Sequence, residues 1–508
     1  MKPATPNNSA WHCRRAPVGR TAFGVREHAH AFWMGRTSFA VRKRRQTGAL
    51  QALRDGSESF RVPGSCPRET SARLKTALLG LGIILINLGT MVASAETFVL
   101  IGATVHTVSG GMLSPGQVRV RDGKIEEVGS SVSAEAATKV DLTGQHLYPG
   151  LISLDTVLGL TEIEEVRATA DQTEVGDYHP DVESWIAVNP DSELIPVTRA
   201  NGIAYFEPVP EGGVVSGQSG LLAVDGWTSE QMTIQKPIAL HLFWPSLELD
   251  TTPKEKAPNK AKFKSLEDQA KDRRVKLQVA VEFFEEAKAY LKAKEAAAKG
   301  GSRAPEKVPA WEAMIPYVRG DLPIVIHADE VRQIRSALEW AGTNNYKVIL
   351  AGGRDAGMVA DLLAAKKIPV IYEHTFTLPS RAIESYDVYF ATPELLRKAG
   401  VVVAFSLGLS VSEAPATRNL PYSAAQAVAF GLPEEEALRG LTLYPAQLAG
   451  VAARLGSIEP GKEATLFAAD GDILDLRANV KRMWLAGREI SLENRHTRLY
   501  QKYRNRPR

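Results

Sequence analysis

An α/β chain with a closed eight-stranded barrel, and a small β domain drawn from both flanks, is the fold the sequence predicts. Three observations predict it. Eight short apolar runs, at 151–155, 203–209, 221–224, 238–242, 324–327, 348–351, 370–372 and 401–405, alternate with helical stretches, and eight is the number a closed (β/α)8 barrel requires. Residues 96–148 alternate in short strands and turns. Near the other end, 464–469 and 480–485 read as strands again, and β segments from opposite ends commonly pair because chain termini lie close together.

The chain opens on a different kind of segment. Its 508 residues are 44% hydrophobic and 23% charged, a globular composition that excludes collagen-like, heptad-dominated and disulfide-stapled architectures. The formal charge of +3 sums two unlike parts. Residues 1–75 hold 15 Lys/Arg and 4 Asp/Glu, net +11; the remainder holds 61 − 15 = 46 basic and 58 − 4 = 54 acidic residues, net −8. Both cysteines, Cys13 and Cys66, lie in the basic part. Nucleic-acid binding is not expected of the acidic, cysteine-free body, which suits an oxidising compartment.

The boundary is legible. Arg73 and Lys75 precede an uncharged apolar run over 76–88, which closes on Ala93-Ser94-Ala95. A short basic region, about a dozen apolar residues and an A-x-A site make a secretory signal peptide over 73–95. A spanning helix wants roughly 20 apolar residues, so no stable membrane anchor is expected after cleavage. The location implied is periplasmic or secreted. Residues 1–72 then read as a disordered stretch or a gene-model extension upstream of a true start near Arg73.

Within the body, Asp122-Gly123 is a strong hairpin signal between strands at 117–121 and 124–128. Strands at 98–105, 140–141 and 146–148 complete the N-terminal part of the small domain, 96–148, and 456–490 supplies its C-terminal part, leaving a basic tail over 491–508. The barrel occupies 149–455. One insertion interrupts it, over 252–300, with 13 Lys/Arg and 8 Asp/Glu and no Gly or Pro from 259 to 299. Leu277, Val281, Phe284, Ala287 and Leu291 recur there at helical spacing, which predicts a solvated helix packing one face on the body.

Leu147-Tyr148-Pro149-Gly150-Leu151-Ile152, after a β unit containing Asp122-Gly123-Lys124-Ile125, resembles the opening of the amidohydrolase superfamily. The tail resembles it too, with Thr442-Leu443-Tyr444-Pro445-Ala446 and then Gly456-Ser457-Ile458-Glu459-Pro460-Gly461. Ile326-His327-Ala328 is similar to the histidine strand of the imidazolonepropionase-like branch. The resemblance implies a TIM-type barrel with a composite β-sandwich domain, and metal-assisted hydrolysis of non-peptide carbon–nitrogen bonds. It also implies a small-molecule substrate or ligand in the barrel mouth, and a homo-oligomer or pairing with a related active subunit.

The expected ligand pattern is broken. Where the superfamily has D-x-H-x-H, this chain has Ser153-Leu154-Asp155-Thr156-Val157. Gly352-Gly353 stands where a later histidine is expected, and no Asp or Glu occurs over 401–412. Of the usual ligands only His327 remains, so the expectation is a degenerate metal site with no ligand set by the family pattern. His327 and Asp155 are the candidate acid and base. His241, His327 and His374 each fall at or just after a strand candidate and form an alternative ligand set for one divalent ion such as zinc. Arg354 and Asp355, after Gly352-Gly353, together with Glu211 and Arg418, are candidate substrate-binding residues; the bland roles of such groups are capping and solvated surface. A non-catalytic binding or scaffold protein is the competing function. Mass spectrometry of the mature protein is expected to find an N-terminus at Glu96, whereas peptides from residues 1–72 in the cell would contradict the leader assignment.

Overall fold

A computed structural model describes residues 97–163, 165–301 and 303–507. The basic leader and the signal-peptide segment lie outside the described residues. Five strands begin the described chain: β1 (Thr97–His106), β2 (Met112–Arg121), β3 (Lys124–Gly129), β4 (Thr138–Asp141) and β5 (His146–Pro149). The β2–β3 turn has Asp122 at φ 52° and Gly123 at φ 77°, two successive left-handed residues of the kind that a tight hairpin demands.

The barrel strands are β6 (Leu151–Thr156), β7 (Ile203–Pro208), β8 (Val215–Ala223), β9 (Thr233–Phe243), β10 (Ile324–Ala328), β11 (Val348–Gly352), β12 (Val370–Tyr372) and β13 (Val403–Phe405). All eight coincide with the apolar runs named above, and they neighbour one another in chain order. One departs from the expected all-parallel arrangement. β8 runs antiparallel to both β7 and β9, so hairpin-like connections replace two helical crossovers. β6 pairs parallel with β7, and β9 through β13 pair parallel throughout. Between β13 and β6 the Ser406 hydroxyl donates to the Asp155 carbonyl at 2.9 Å, so side chains help to close the ring.

After the barrel come β14 (Leu466–Ala469), β15 (Val480–Leu485) and β16 (Arg488–Ile490). They join the first flank in one sheet of order β16-β15-β14-β5-β1-β2-β3, with β4 also paired to β1. The sheet curls until its two hairpins meet: Ala464 N–H donates to the Gly123 carbonyl at 2.8 Å. Phe98, Leu100, Val118, Val120, Leu466 and Trp484 fill the space enclosed.

Two layers of core follow from the pleat, which sends alternate side chains to opposite faces. Leu154, Ala239, Val325, Ile349 and Ile371 point inward and fill the barrel. Leu240, Ile326, Leu350 and Tyr372 point outward under the helices. The long helix Leu266–Ala298 starts at Ser265, whose side chain accepts from Asp268 N–H at 3.1 Å. It buries only Ala280, Phe284 and Ala287, a narrow stripe at i, i+4 and i+7, and leaves the rest of its charged surface in solvent. Placing a Cβ on Gly123 would bring it 2.5 Å from the Ala486 carbonyl oxygen, in a backbone region L-residues avoid. Gly123→Ala is therefore expected to destabilise the chain by at least about 1 kcal/mol, the cost of left-handed backbone alone. An unchanged urea midpoint would contradict the hairpin contact.

Candidate active site

The inward positions of the barrel strands change character at the C-terminal end. Two residues beyond Ala239 on β9 stands His241, two beyond Val325 on β10 stands His327, and two beyond Ile371, just past β12, stands Glu373. Period-two alternation thus puts an apolar layer below and a polar layer above it. Asp155 reaches the same level differently. The β6–β7 register shifts between Ser153 and Thr156, and Asp155 adopts φ 56° with its side chain fully buried.

These groups meet. His241 Nδ1 lies 3.0 Å from His327 Nε2, and His327 Nδ1 lies 3.9 Å from Asp155 Oδ1. One ligand atom from each of Asp155, His241 and His327 falls within 4.8 Å of the others. The His327 ring stacks on Phe243 at 4.1 Å, which fixes its plane. Behind His241, its Nε2 is 2.8 Å from the Ser219 hydroxyl, which donates to Glu207 Oε1 at 2.6 Å. Glu207 Oε2 accepts the Asp155 backbone N–H at 3.1 Å. Val157, Val209, Leu409 and Ala414 form a small apolar cluster beside the mouth, with Phe243 packed against it.

Charge is concentrated here without a matching cation. Among the described residues no N–H group and no hydroxyl donates to either Asp155 oxygen. Burial, then the neighbouring Glu373, Glu207 and Glu211, push the Asp155 carboxyl well above the usual carboxylate range. Burial also raises Glu373. Burial and the charge of Glu373 push Glu211 up to about 7. His327 is held well below the ordinary imidazole value by burial and by His241, so it is neutral at physiological pH and free to act as a ligand.

The donor set fits one divalent cation. A buried carboxylate without proton donors is costly, and an ion beside it removes that cost. Two neutral imidazoles with a carboxylate are a common three-ligand set for catalytic zinc. Nitrogens 3.0 Å apart are also close to the separation of roughly 3.0–3.4 Å that follows when both lie about 2.1 Å from one ion at angles near 90–110°.

The sequence-derived candidates separate in space. Asp155, His327 and His241 come together, with Glu211 close enough to raise Asp155. His374 does not join His241 and His327. Its Nε2 lies 2.8 Å from Asp329 Oδ1 and its Nδ1 3.1 Å from the Thr377 hydroxyl; burial raises the Asp329 carboxyl, but the hydrogen bond and charge of His374 together with Arg354 hold it below its usual range. The ligand set His241–His327–His374 is thereby corrected to Asp155–His241–His327, because His374 is one residue out of phase with the inward face. Asp355 is buried and bound by Arg381, with Nη1 donating to Oδ1 at 2.9 Å, and it accepts Val331 N–H at 3.2 Å; Arg354 Nε stands 3.8 Å from it. Arg418 lies away from the mouth, its guanidinium 3.2 Å from His496 Nδ1 on the C-terminal helix.

Sequence reading missed Glu373, Glu207 and Ser219. The signal for Glu373 was present, since counting in twos from Ile371 selects it over His374. Ser219 falls outside the strand expected at 221–224, in a glycine-containing stretch that the structure makes part of β8.

Comparison with known proteins agrees with this architecture. Residues 319–490 match the profile of the amidohydrolase family. A solved amidohydrolase from Thermotoga maritima MSB8 is 28% identical with a TM-score of 0.68, over 78% of this chain and 99% of that one. Amidohydrolase tasK of Hapsidospora irregularis is 25% identical over 186 residues, which is 35% of this chain; the match spans only 18% of that longer relative. Over residues 319–490, then, the chain resembles the amidohydrolase family, within a barrel-plus-sheet fold that it shares with a solved amidohydrolase.

Proposed function

We propose that the chain is a hydrolase acting on a non-peptide carbon–nitrogen bond of a small molecule in the barrel mouth, with one divalent ion held by Asp155, His241 and His327. The observation that carries this reading is Asp155, a fully buried carboxyl that no N–H or hydroxyl reaches, with the Glu373 carboxyl and two imidazoles beside it. The site is degenerate relative to the superfamily pattern, since Val157, Gly352-Gly353 and Ser406 stand where further ligands are expected. Ile326-His327-Ala328 supports a position near the imidazolonepropionase-like branch. The apolar run over 76–88 and Ala93-Ser94-Ala95 support export, and a homo-oligomer or a pairing with an active relative remains compatible with a single-ion site.

A bound divalent ion supplies Lewis acidity and lowers the pKa of a coordinated water. The chain's own residues do the rest. Phe243 and the Val157–Leu409 cluster keep bulk water from His327. Glu211, balanced near neutrality, accepts a proton at its carboxylate and returns it to the departing nitrogen.

Turnover on a panel of amides, lactams and dipeptides is expected to favour amides and lactams, to fall on chelation, and to vanish in His327→Ala. Absence of turnover on every compound, with partner capture unaltered by the mutation, would instead establish a binding protein. If Glu211 is the base, kcat rises with pH through about 7, and Glu211→Gln loses that limb along with about 100-fold in rate. The same carboxyl links stability to pH. Its folded value, about 7, exceeds its ordinary 4.5, so its contribution is complete below pH 4.5 and is lost as pH rises through 7. Glu211→Gln is expected to flatten the fall in thermal midpoint across that window, and an unchanged slope would contradict it.

A further inference from the structure

We infer that Glu207 and Ser219 are positioning residues that set both the tautomer of His241 and the backbone of Asp155, so that one carboxyl on β7 aligns two ligands contributed by β6 and β9. The inference rests on the single-ion reading but reaches residues outside the ligand set. Its first arm is a proton chain. The Ser219 hydroxyl donates to Glu207 Oε1 at 2.6 Å, so the Ser219 oxygen is left to accept. His241 Nε2, 2.8 Å away, is then the donor, and the ring carries its proton there. Glu207 Oε1 itself lies 3.3 Å from the same nitrogen and reinforces the choice. A neutral imidazole protonated at Nε2 presents its lone pair at Nδ1, the atom that lies 3.0 Å from His327 Nε2.

The second arm is a backbone contact. Glu207 Oε2 accepts the N–H of Asp155 at 3.1 Å, at the residue whose φ of 56° turns its side chain out of strand alternation. An aspartate tolerates that conformation better than most residues but still needs support. Glu207, Ser219 and His241 are at most 2% exposed, so solvent cannot substitute for either arm. The antiparallel course of β8 makes the arrangement possible, because Ser219 pairs with Ala239 and so stands one pleat below His241.

The substitutions follow from the chemistry. Ser219→Ala removes the nearer acceptor for His241 Nε2–H and leaves only Glu207 Oε1 at 3.3 Å, whereas Ser219→Thr keeps it. Glu207→Gln keeps one acceptor oxygen but turns an amide donor toward either Ser219 or the Asp155 N–H, so one arm must fail. Two measurements on the full chain test this. In metal-free protein with 15N-labelled histidine, NMR is expected to show His241 as the Nε2–H tautomer in the wild type and in Ser219→Thr. A mixture with the Nδ1–H form is expected in Ser219→Ala, and in Glu207→Gln where its amide nitrogen faces Ser219. In parallel, zinc affinity by chelator competition is expected to fall by about 10–100-fold in Ser219→Ala and to recover in Ser219→Thr. A wild-type tautomer in both Ser219→Ala and Glu207→Gln overturns the inference, as does zinc affinity unchanged in Ser219→Ala. Failure of the wild type to bind zinc, with the tautomer still dependent on Ser219, would overturn the single-ion reading while upholding the positioning role. Circular dichroism identifies a variant that has not folded, and the Ser219 pair then decides alone.

Discussion

The carboxyl of Asp155 is sealed inside the barrel with no N–H or hydroxyl to satisfy it, hydrogen-bonded only to the Glu373 carboxyl, and Glu207 and Glu211 crowd around the pair. Burying one unpaired carboxylate costs on the order of several kcal/mol, and like charges nearby add to that. A folded chain has three ways to meet the cost: protonation, a basic side chain or a bound cation. Of the two histidines beside Asp155, His327 is a poor source of charge, because burial keeps it neutral. Its value is as an uncharged donor, and that is why the site reads as a place for an ion rather than as a buried salt bridge.

Barrel closure creates this crowding. Inward side chains at the C-terminal ends of parallel strands converge on one mouth, and the apolar layer of Val325, Ile349 and Ile371 beneath excludes water from below. The reversed strand β8 changes what the mouth can contain. Where a helical crossover would carry the chain outside the barrel, this chain returns through the sheet and lays Ser219 beside His241 and Glu207. The family profile begins at residue 319, just before β10, and so includes His327 but none of Asp155, Glu207, Ser219 or His241. Most of the site therefore comes from strands that precede the matched residues.

Much of the fold was legible because its signals are local. Eight apolar runs, the Asp122-Gly123 turn and the paired β flanks each depend on a few neighbouring residues, and each became the element expected. The direction of β8 was not legible, since alternation and hydropathy are the same for a strand running either way. The site was partly legible. Asp155, His241 and His327 could be named from strand ends, but a search for histidines selects His374 and passes over Glu373 beside it. A one-residue slip in a strand reverses the face, and the pleat decides against His374. Glu207 and Ser219 act only through partners distant in the chain, so no local pattern marks them.

The central claim is that Asp155, His241 and His327 hold one ion between them. X-ray absorption spectroscopy of the zinc-loaded protein tests it most directly, because imidazole ligands leave a multiple-scattering signature. The account predicts one equivalent of zinc with two imidazoles and oxygen in the remaining positions, reduced to one imidazole in His241→Ala. A zinc ion surrounded by three imidazoles, or an unaltered spectrum in His241→Ala, would contradict it.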